Sequence, residues 1–379
     1  KAYLEAGFHV LCEKPMTMTV EEGTEIVRLA ERTGRIVAVN YCYSAYPMVR
    51  QARAMVRAGD IGKVRLVVTA FSHGHHGNGA DADNPQAVDK VFAAKGRPSD
   101  HPLIVHVTDA SQVDHYAVRV PDVARRLITA HWPGPLTLIL PRRPGVASAS
   151  AGGQDSIGLR CPSHPVAQAL LQAARALGVQ GVSAPSANRF GRVSPTTAQH
   201  VADELGPELL VLDGGPCEVG IESTIVDCTR GHPVLLRPGM LSQDALSQTS
   251  GTAVLTPQAF AQQSTHASAA PRASGTLASH YAPQARVHLL DQAQLQAHLD
   301  HLAQTSMEQP TGVWSRTALA VPPGVVAMAM PSDPAECAHA LFAQLRAFDQ
   351  LGLSDILIEA PPTDTAWDGV RDRLTRAAA

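Results

Sequence analysis

The stretch Ser183-Ala-Pro-Ser-Ala-Asn188, continued by Arg189-Phe-Gly-Arg-Val-Ser-Pro-Thr-Thr197, constrains what this chain can fold into more than any other. It follows the apolar run Val179 to Val182 and gathers hydroxyls, two prolines and a glycine. A buried strand that delivers a hydroxyl-lined loop and then a helix accounts for that order. Ser194 has the chemistry of a helix cap, and Pro195 suits the first helical position. Such a strand-end loop, with free backbone N–H groups beside a helix start, is a ready anion site. The same residues also describe a plain strand, turn and capped helix with no ligand. Their partners elsewhere in the chain have to decide.

Composition narrows the choice. A chain of 379 residues, 45% of them hydrophobic, is long enough for two or three domains with real cores. Aromatic residues make up 4% and the net charge is −3, which speaks against a base-stacking surface or a global basic field for nucleic acid. Six widely spaced cysteines without a CxxC pair fit reduced thiols in a cytoplasmic protein, rather than disulfides or a zinc site. No apolar run approaches the ~20 residues of a membrane span, so no membrane partner is expected. The sequence opens on Lys1 in mid-pattern, as a fragment or an internal cut would.

Residues 1–72 alternate strand and helix. Val10 leads into Leu11-Cys-Glu-Lys-Pro15, and Thr19 with Glu22 makes a capping box for a helix whose inner face is Ile26, Val27 and Ala30. Gly34 ends it, Arg35 to Val39 reads as a buried strand, Pro47 to Arg57 as a helix and Lys63 to Phe71 as a strand. With Glu13-Lys14-Pro15 at the strand end, this segment resembles the glucose–fructose oxidoreductase and inositol dehydrogenase family. The resemblance implies a partial Rossmann-like fragment and would put Lys14 beside a nicotinamide. The glycine-rich pyrophosphate turn and the large substrate sheet of that family are absent from the sequence. Three histidines in Ser72-His-Gly-His-His-Gly-Asn-Gly79 read as a surface loop rather than a metal site, and a junction falls there.

The middle of the chain repeats one theme. Asn84-Pro85 opens a helix that ends at Lys95-Gly96-Arg97-Pro98, two cations straddling a glycine and able to grip different oxygens of one polyphosphate. His101 to Val107 is a strand entry flanked by His101 and His106. Ser156 to Pro162 is a strand carrying Arg160, which needs an anion or an acidic neighbour. Ser163 caps a helix from Pro165. After the opening stretch come a strand Leu209 to Leu212, then Glu222-Ser223-Thr224 at a strand head, and a strand ending Leu-Arg237-Pro-Gly239. Several strands thus each deliver one cation or hydroxyl near an end, as a shared cleft requires. No P-loop pattern occurs anywhere.

In that order and spacing, Lys95-Gly-Arg-Pro98, Ser-Ala-Pro-Ser-Ala-Asn188, Glu222-Ser-Thr224 and Leu-Arg-Pro-Gly239 resemble the YrdC-like threonylcarbamoyl-AMP synthase family, over about residues 79–379. The resemblance implies a twisted mixed α/β domain over 79–245, a linker over 246–276 and a small parallel α/β domain over 277–379. It implies a nucleotidyltransferase reaction in which L-threonine, bicarbonate and ATP, with Mg²⁺, give threonylcarbamoyl-AMP and pyrophosphate. The product would pass to a tRNA-modifying transferase complex. Lys95 and Arg97 would be catalytic. Arg97, His101, Ser186, Ser194, Arg237 and Tyr281 would serve ATP, and His106, Arg160, Ala184 and Ser223 would face threonine. Asn188 would order the loop.

The chain departs from the pattern of the family it resembles before Gly79. Where the family carries a strand ending Pro-Thr-Glu-Thr-Val-Tyr-Gly-Leu, this chain has Ala70 to Gly79, so that strand and its helix are missing or replaced. Beyond Leu241 the composition turns to Ser, Thr, Gln, Ala and Pro, which reads as a linker, followed by His280-Tyr281-Ala-Pro283. Strands at Arg286 to Leu290, Thr311 to Ser315 and Ile356 to Ile358 then alternate with helices, the longest from Pro334 to Leu351. Other readings stay open beside the synthase. They are an inactive fusion of an oxidoreductase fragment with a truncated synthase, an NAD(P)-dependent oxidoreductase, and a module contacting double-stranded RNA or tRNA.

Overall fold

The computed structural model describes residues 1–13, 19–40, 80–263, 269–305 and 309–379. Contacts divide the chain into two compact units, at residues 71 and 72. Lys14, the Pro47 to Arg57 helix, the Lys63 to Phe71 strand and the histidine-rich loop lie outside the described residues.

In the first unit, α1 (Ala2–Glu5) and α2 (Val20–Thr33) accompany two parallel strands, β1 (Val10–Glu13) and β2 (Val37–Asn40). Thr19 accepts the Glu22 N–H at 3.3 Å and Gly34 closes α2 in the left-handed conformation. The inner face of α2 differs from its expected one: Val27 is exposed, Ile26 and Ala30 are half-buried, and Leu29 is buried. Phe8 and Ile36 are exposed as well.

The second unit carries two sheets. The first has α3 (Pro85–Lys95), β3 (Ile104–His106), α4 (Val113–Tyr116), α5 (Asp122–His131), β4 (Leu136–Pro141), β5 (Ser156–Arg160), α6 (Pro165–Ala176), β6 (Val182–Ser183), α7 (Ala198–Leu205), β7 (Thr224–Asp227) and β8 (Val234–Arg237). Its strand order is β6-β3-β5-β4-β7-β8, with β3/β5 and β4/β7 parallel and the other pairs antiparallel. Alternation along the central strand β4 separates two jobs. Leu136, Leu138 and Leu140 enter the main core with Leu127, Tyr116 and Val226. Thr137 and Ile139 face the other way, Thr137 toward Ser223 and Ile139 toward Ala273.

Three local expectations need correction. The helix after the opening stretch starts later than Ser194-Pro195: Thr197 caps α7, accepting the His200 N–H at 3.2 Å. Ser194 is committed elsewhere, donating to the Glu222 carboxylate at 2.6 Å, a charge-assisted bond stronger than a neutral cap. Ser163 does not cap α6, whose N-cap is His164 without a side-chain bond. Leu209 to Leu212 forms no strand; no strand among the described residues pairs with it, and Leu210 and Leu212 remain exposed.

The expected linker holds two helices, α8 (Gln243–Ser250) and α9 (Pro257–Gln263). Its Ser-rich composition conceals a Ser242 cap on the Ala245 N–H, a left-handed Gly251 stop and two core residues, Leu246 and Val254. The second sheet follows from β9 (Arg286–Leu290), α10 (Gln292–Gln304), β10 (Thr311–Ser315), β11 (Val326–Ala329), α11 (Pro334–Gln350), β12 (Asp355–Glu359) and α12 (Asp368–Ala377). It is all parallel, ordered β11-β10-β12-β9. α11 buries Cys337, Leu341, Leu345 and Phe348 at helical spacing against Trp314 and Ile358. β11 is an edge strand whose residues alternate half-buried and exposed, a pattern too thin to read from sequence.

Candidate active site

The strand ends of the first sheet and the segment after α9 enclose a cavity of about 370 Å³. Arg97 enters it from the end of α3, where Gly96 at φ 60° turns the chain inward. Its Nη2 donates to the Pro102 carbonyl (2.8 Å) and to Ser274 Oγ (3.3 Å). The parallel register of β3 and β5 sets His106 beside Arg160, and both line the cavity. Arg160 donates through Nε to the Gly134 carbonyl at 3.1 Å. Ser186, Ser194 and Ser223 supply hydroxyl-bearing wall, and Ala184 adds backbone. The Ala184 N–H is already bonded to the Ile104 carbonyl at 3.2 Å. Arg237 clasps the Ser223 carbonyl through Nε (3.0 Å) and Nη2 (2.9 Å) and reaches the Ser274 carbonyl through Nη1 (2.9 Å). Tyr281 closes one side, with its buried hydroxyl lacking a hydrogen-bond partner among the described residues.

Burial sets the electrostatics. It lowers the Arg97 guanidinium to about 10, with Arg237 adding repulsion, and lowers Arg160 to about 10 with the same help. Burial, reinforced by Arg160, holds His106 neutral with a pKa of about 3. Burial raises the Tyr281 phenol to about 12. None of Arg97, Arg160 and Arg237 forms an ion pair with a carboxylate among the described residues. Buried Arg97 and Arg237 and half-buried Arg160, with no carboxylate ion pair among the described residues, have the chemistry to receive an anion.

Three expected site residues stand apart from the cavity. Lys95 is buried behind the loop, and its ammonium donates to the carbonyls of Ser186 and Asn188, both at 2.5 Å. Burial, then repulsion from Arg97, lowers it to about 8. Asn188 donates to the carbonyls of Arg189 (2.9 Å) and Arg192 (2.8 Å). Together they shape the Ser186 wall from behind. His101 packs edge-on against Phe190, 5.2 Å between ring centres. Sequence reasoning missed Glu222, Ser274 and His280 as wall residues. Glu222 sat in a quoted motif, but a carboxylate beside an expected polyphosphate gave no signal; Ser274 was hidden in linker composition.

Residues 67–239 match a family model described as telomere recombination, and residues 242–379 match the threonylcarbamoyl-AMP synthase C-terminal domain. The threonylcarbamoyl-AMP synthase of Bacillus subtilis is 33% identical over 88% of this chain and 93% of its own length. The chain belongs to the threonylcarbamoyl-AMP synthase family. A solved structure of this family, Pyrococcus abyssi Sua5 complexed with L-threonine, superposes with a TM-score of 0.69 at 32% identity, covering 79% of this chain and 86% of that one. Residues 1–41 match a separate family model, an oxidoreductase family with an NAD-binding Rossmann fold. Over 74 residues the chain is 51% identical to a Bacillus subtilis oxidoreductase, which is 20% of this chain and 19% of that protein. The likeness to an oxidoreductase is thus confined to the first part of the sequence, while the synthase family matches most of it.

Gly275 of the synthase portion is among its sterically required glycines. Gly275 has φ +72°, and a Cβ there would lie 2.3 Å from Tyr281 Oη and 2.9 Å from Arg237 Nη1. Gly275→Ala therefore costs about 1–3 kcal/mol of strain and contact and should release the neighbouring segment. Trypsin should then cleave after Arg272, which is now tied to Asp100 (3.2 Å) and the Gly152 carbonyl (2.9 Å), faster than in the parent protein. Equal cleavage rates would refute that packing role.

Proposed function

We propose that the cavity carries out the L-threonylcarbamoyladenylate synthase reaction: the threonine amine and bicarbonate give N-carboxythreonine with loss of water, and this carbamate with ATP gives threonylcarbamoyl-AMP and pyrophosphate. The observation that carries the reading is the meeting of Arg97, Arg160 and Arg237, each without a carboxylate partner among the described residues, on one hydroxyl-lined wall. A carbamate oxygen of N-carboxythreonine attacks the α-phosphorus while the bond to pyrophosphate breaks. The charge then gathers on the leaving group, so fixed cations and positioning supply most of the catalysis. Arg97 and Arg237 face that charge, with Ser186 and Ser194 ordering phosphate oxygens and Tyr281 closing over the nucleotide. Arg160 pairs with the threonine or carbamate carboxylate. His106, neutral through burial, offers a hydrogen bond there without a second charge, as does Ser223. Lys95 acts through the loop it holds.

Mg²⁺ arrives in this reading with the nucleotide. Among the described residues no group of three His, Cys, Asp or Glu side chains gathers to hold an ion, and Mg²⁺ is well served by phosphate oxygens and water. When bound it neutralises triphosphate charge. The mixed anhydride is then a substrate for a tRNA-modifying transferase in the cytoplasm. Among the described residues no helix is long and apolar enough to cross a membrane.

The test is pyrophosphate release by the full chain with ATP and Mg²⁺. Release should require both threonine and bicarbonate, and mass spectrometry should detect threonylcarbamoyl-AMP. Folded protein that releases none refutes the reading.

A further inference from the structure

Glu222 is an oddity in a cavity built for polyanions. It lines the wall, 19% of its side chain is exposed, and its Oε1 accepts the Ser194 hydroxyl at 2.6 Å. An uncompensated carboxylate in this position would repel phosphate. Its compensation comes from the other sheet's layer, from Arg373 on α12. The Arg373 side chain has no exposed surface. Its Nε meets Glu222 Oε2 at 2.8 Å, its Nη2 donates to the Glu222 carbonyl at 3.2 Å, and its Nη1 donates to the Pro238 carbonyl at 2.9 Å. Arg373 itself does not line the cavity.

The grip is therefore double. One guanidinium pins the residue before Ser223 and the residue after Arg237, which are the neighbours of two wall residues on adjacent strands. The approach of α12 is built in: at Gly369 a Cβ would lie 2.9 Å from Ile221 Cδ1 and 3.0 Å from the Gly239 carbonyl. A neighbouring acid, Asp372, shares Nη1 at 2.8 Å and keeps the guanidinium oriented.

We propose that Arg373 is a positioning residue for nucleotide binding: it neutralises Glu222 and aims it at Ser194, so that the C-terminal layer completes the phosphate-facing wall of the first sheet. This rests on the reading of the cavity as an ATP site. Removing Arg373 frees a negative charge toward the triphosphate and unlocks Ser194, without altering the Arg160 and His106 side of the cavity.

The experiment measures steady-state pyrophosphate release by the full chain with Arg373→Met, Glu222→Gln and the double variant. Arg373→Met should raise the KM for ATP about tenfold or more, while the KM for threonine moves less than threefold. Adding Glu222→Gln to Arg373→Met removes the orphaned charge and should lower the ATP KM again by at least threefold relative to the single variant. An unchanged ATP KM in folded Arg373→Met, or equal rises for ATP and threonine, overturns the proposal, as does a double variant no better than the single one. Should Arg373→Met fail to fold, Arg373→Lys, which keeps the charge but loses the fork, takes its place. It should raise the ATP KM at least threefold, and no rise overturns the proposal. Failure of the parent protein to bind ATP in calorimetry would instead sink the ATP reading, so the two failures are distinguishable.

Discussion

Replacing Arg237 with alanine should lower kcat/KM for ATP by about 10²–10³, the cost of deleting one fixed donor that in the proposed reaction faces developing charge. Arg237 is 3% exposed and joins three parts of the site: the Ser223 carbonyl, the Ser223 hydroxyl (3.2 Å) and the Ser274 carbonyl. Its loss therefore removes a cation and loosens two walls together. Arg237→Lys keeps the charge but cannot bridge the Ser223 carbonyl with two N–H groups, so its defect should fall between parent and alanine. A melting temperature near the parent's, measured alongside, separates lost catalysis from lost fold. Activity of Arg237→Ala within threefold of the parent would remove Arg237 from the mechanism.

Acid should destabilise the protein well before its carboxylates titrate. His106 has a folded pKa of about 3 and His280 of about 4, both lowered chiefly by burial. Each binds a proton near pH 6.5 once unfolded. The unfolded state thus holds more protons below about pH 6.5, and stability falls as pH drops through that window. Both histidines together account for roughly 2–4 kcal/mol lost between pH 7 and pH 5; the lower end reflects the half-buried His106 ring beside the cavity. Glu222 adds to the loss only further down. Burial pushes it up, but Arg373 and Arg237 hold it at about 2, so its contribution is present above its unfolded pKa and fades from about pH 4.5 toward 2. Urea melts at pH 5, 6 and 7 test this. His106→Asn should roughly halve the pH 7 to 5 loss, and a loss the same as the parent's would contradict the burial of that imidazole.

What was legible in the sequence is the part fixed by local chemistry. Asn84-Pro85 and Gly96 mark α3 by cap, proline and left-handed stop, and each acts through its own backbone. The hydrophobic spacing of α11 is likewise local. The cation and hydroxyl residues at strand ends were visible because each strand delivers one. What escaped depends on partners far along the chain. Lys95 looked like a phosphate ligand, yet Ser186 and Asn188 carbonyls claim its ammonium. Ser194 looked like a cap until Glu222 took its hydroxyl. Leu209 to Leu212 had a strand's composition and no strand beside it among the described residues. The helices in the supposed linker were masked by polar residues around a few buried positions, Leu246 and Val254 among them. Arg373 showed no signal at all, because a C-terminal arginine in a polar helix reads as solvated surface until the fold buries it.

The bonds that assemble the cavity also say when it can exist. Lys95 meets Asn188 across 93 positions, Arg373 meets Glu222 across 151, and Arg97 meets Ser274 across 177. Closing such long loops costs entropy before any contact rewards it, and topologies rich in distant contacts assemble slowly. The receptor for anions is therefore a late product of folding, formed once both sheets have docked. With the cavity as the proposed ATP site, refolding intermediates should carry secondary structure without nucleotide affinity, and added ATP should stabilise the last step rather than guide the first.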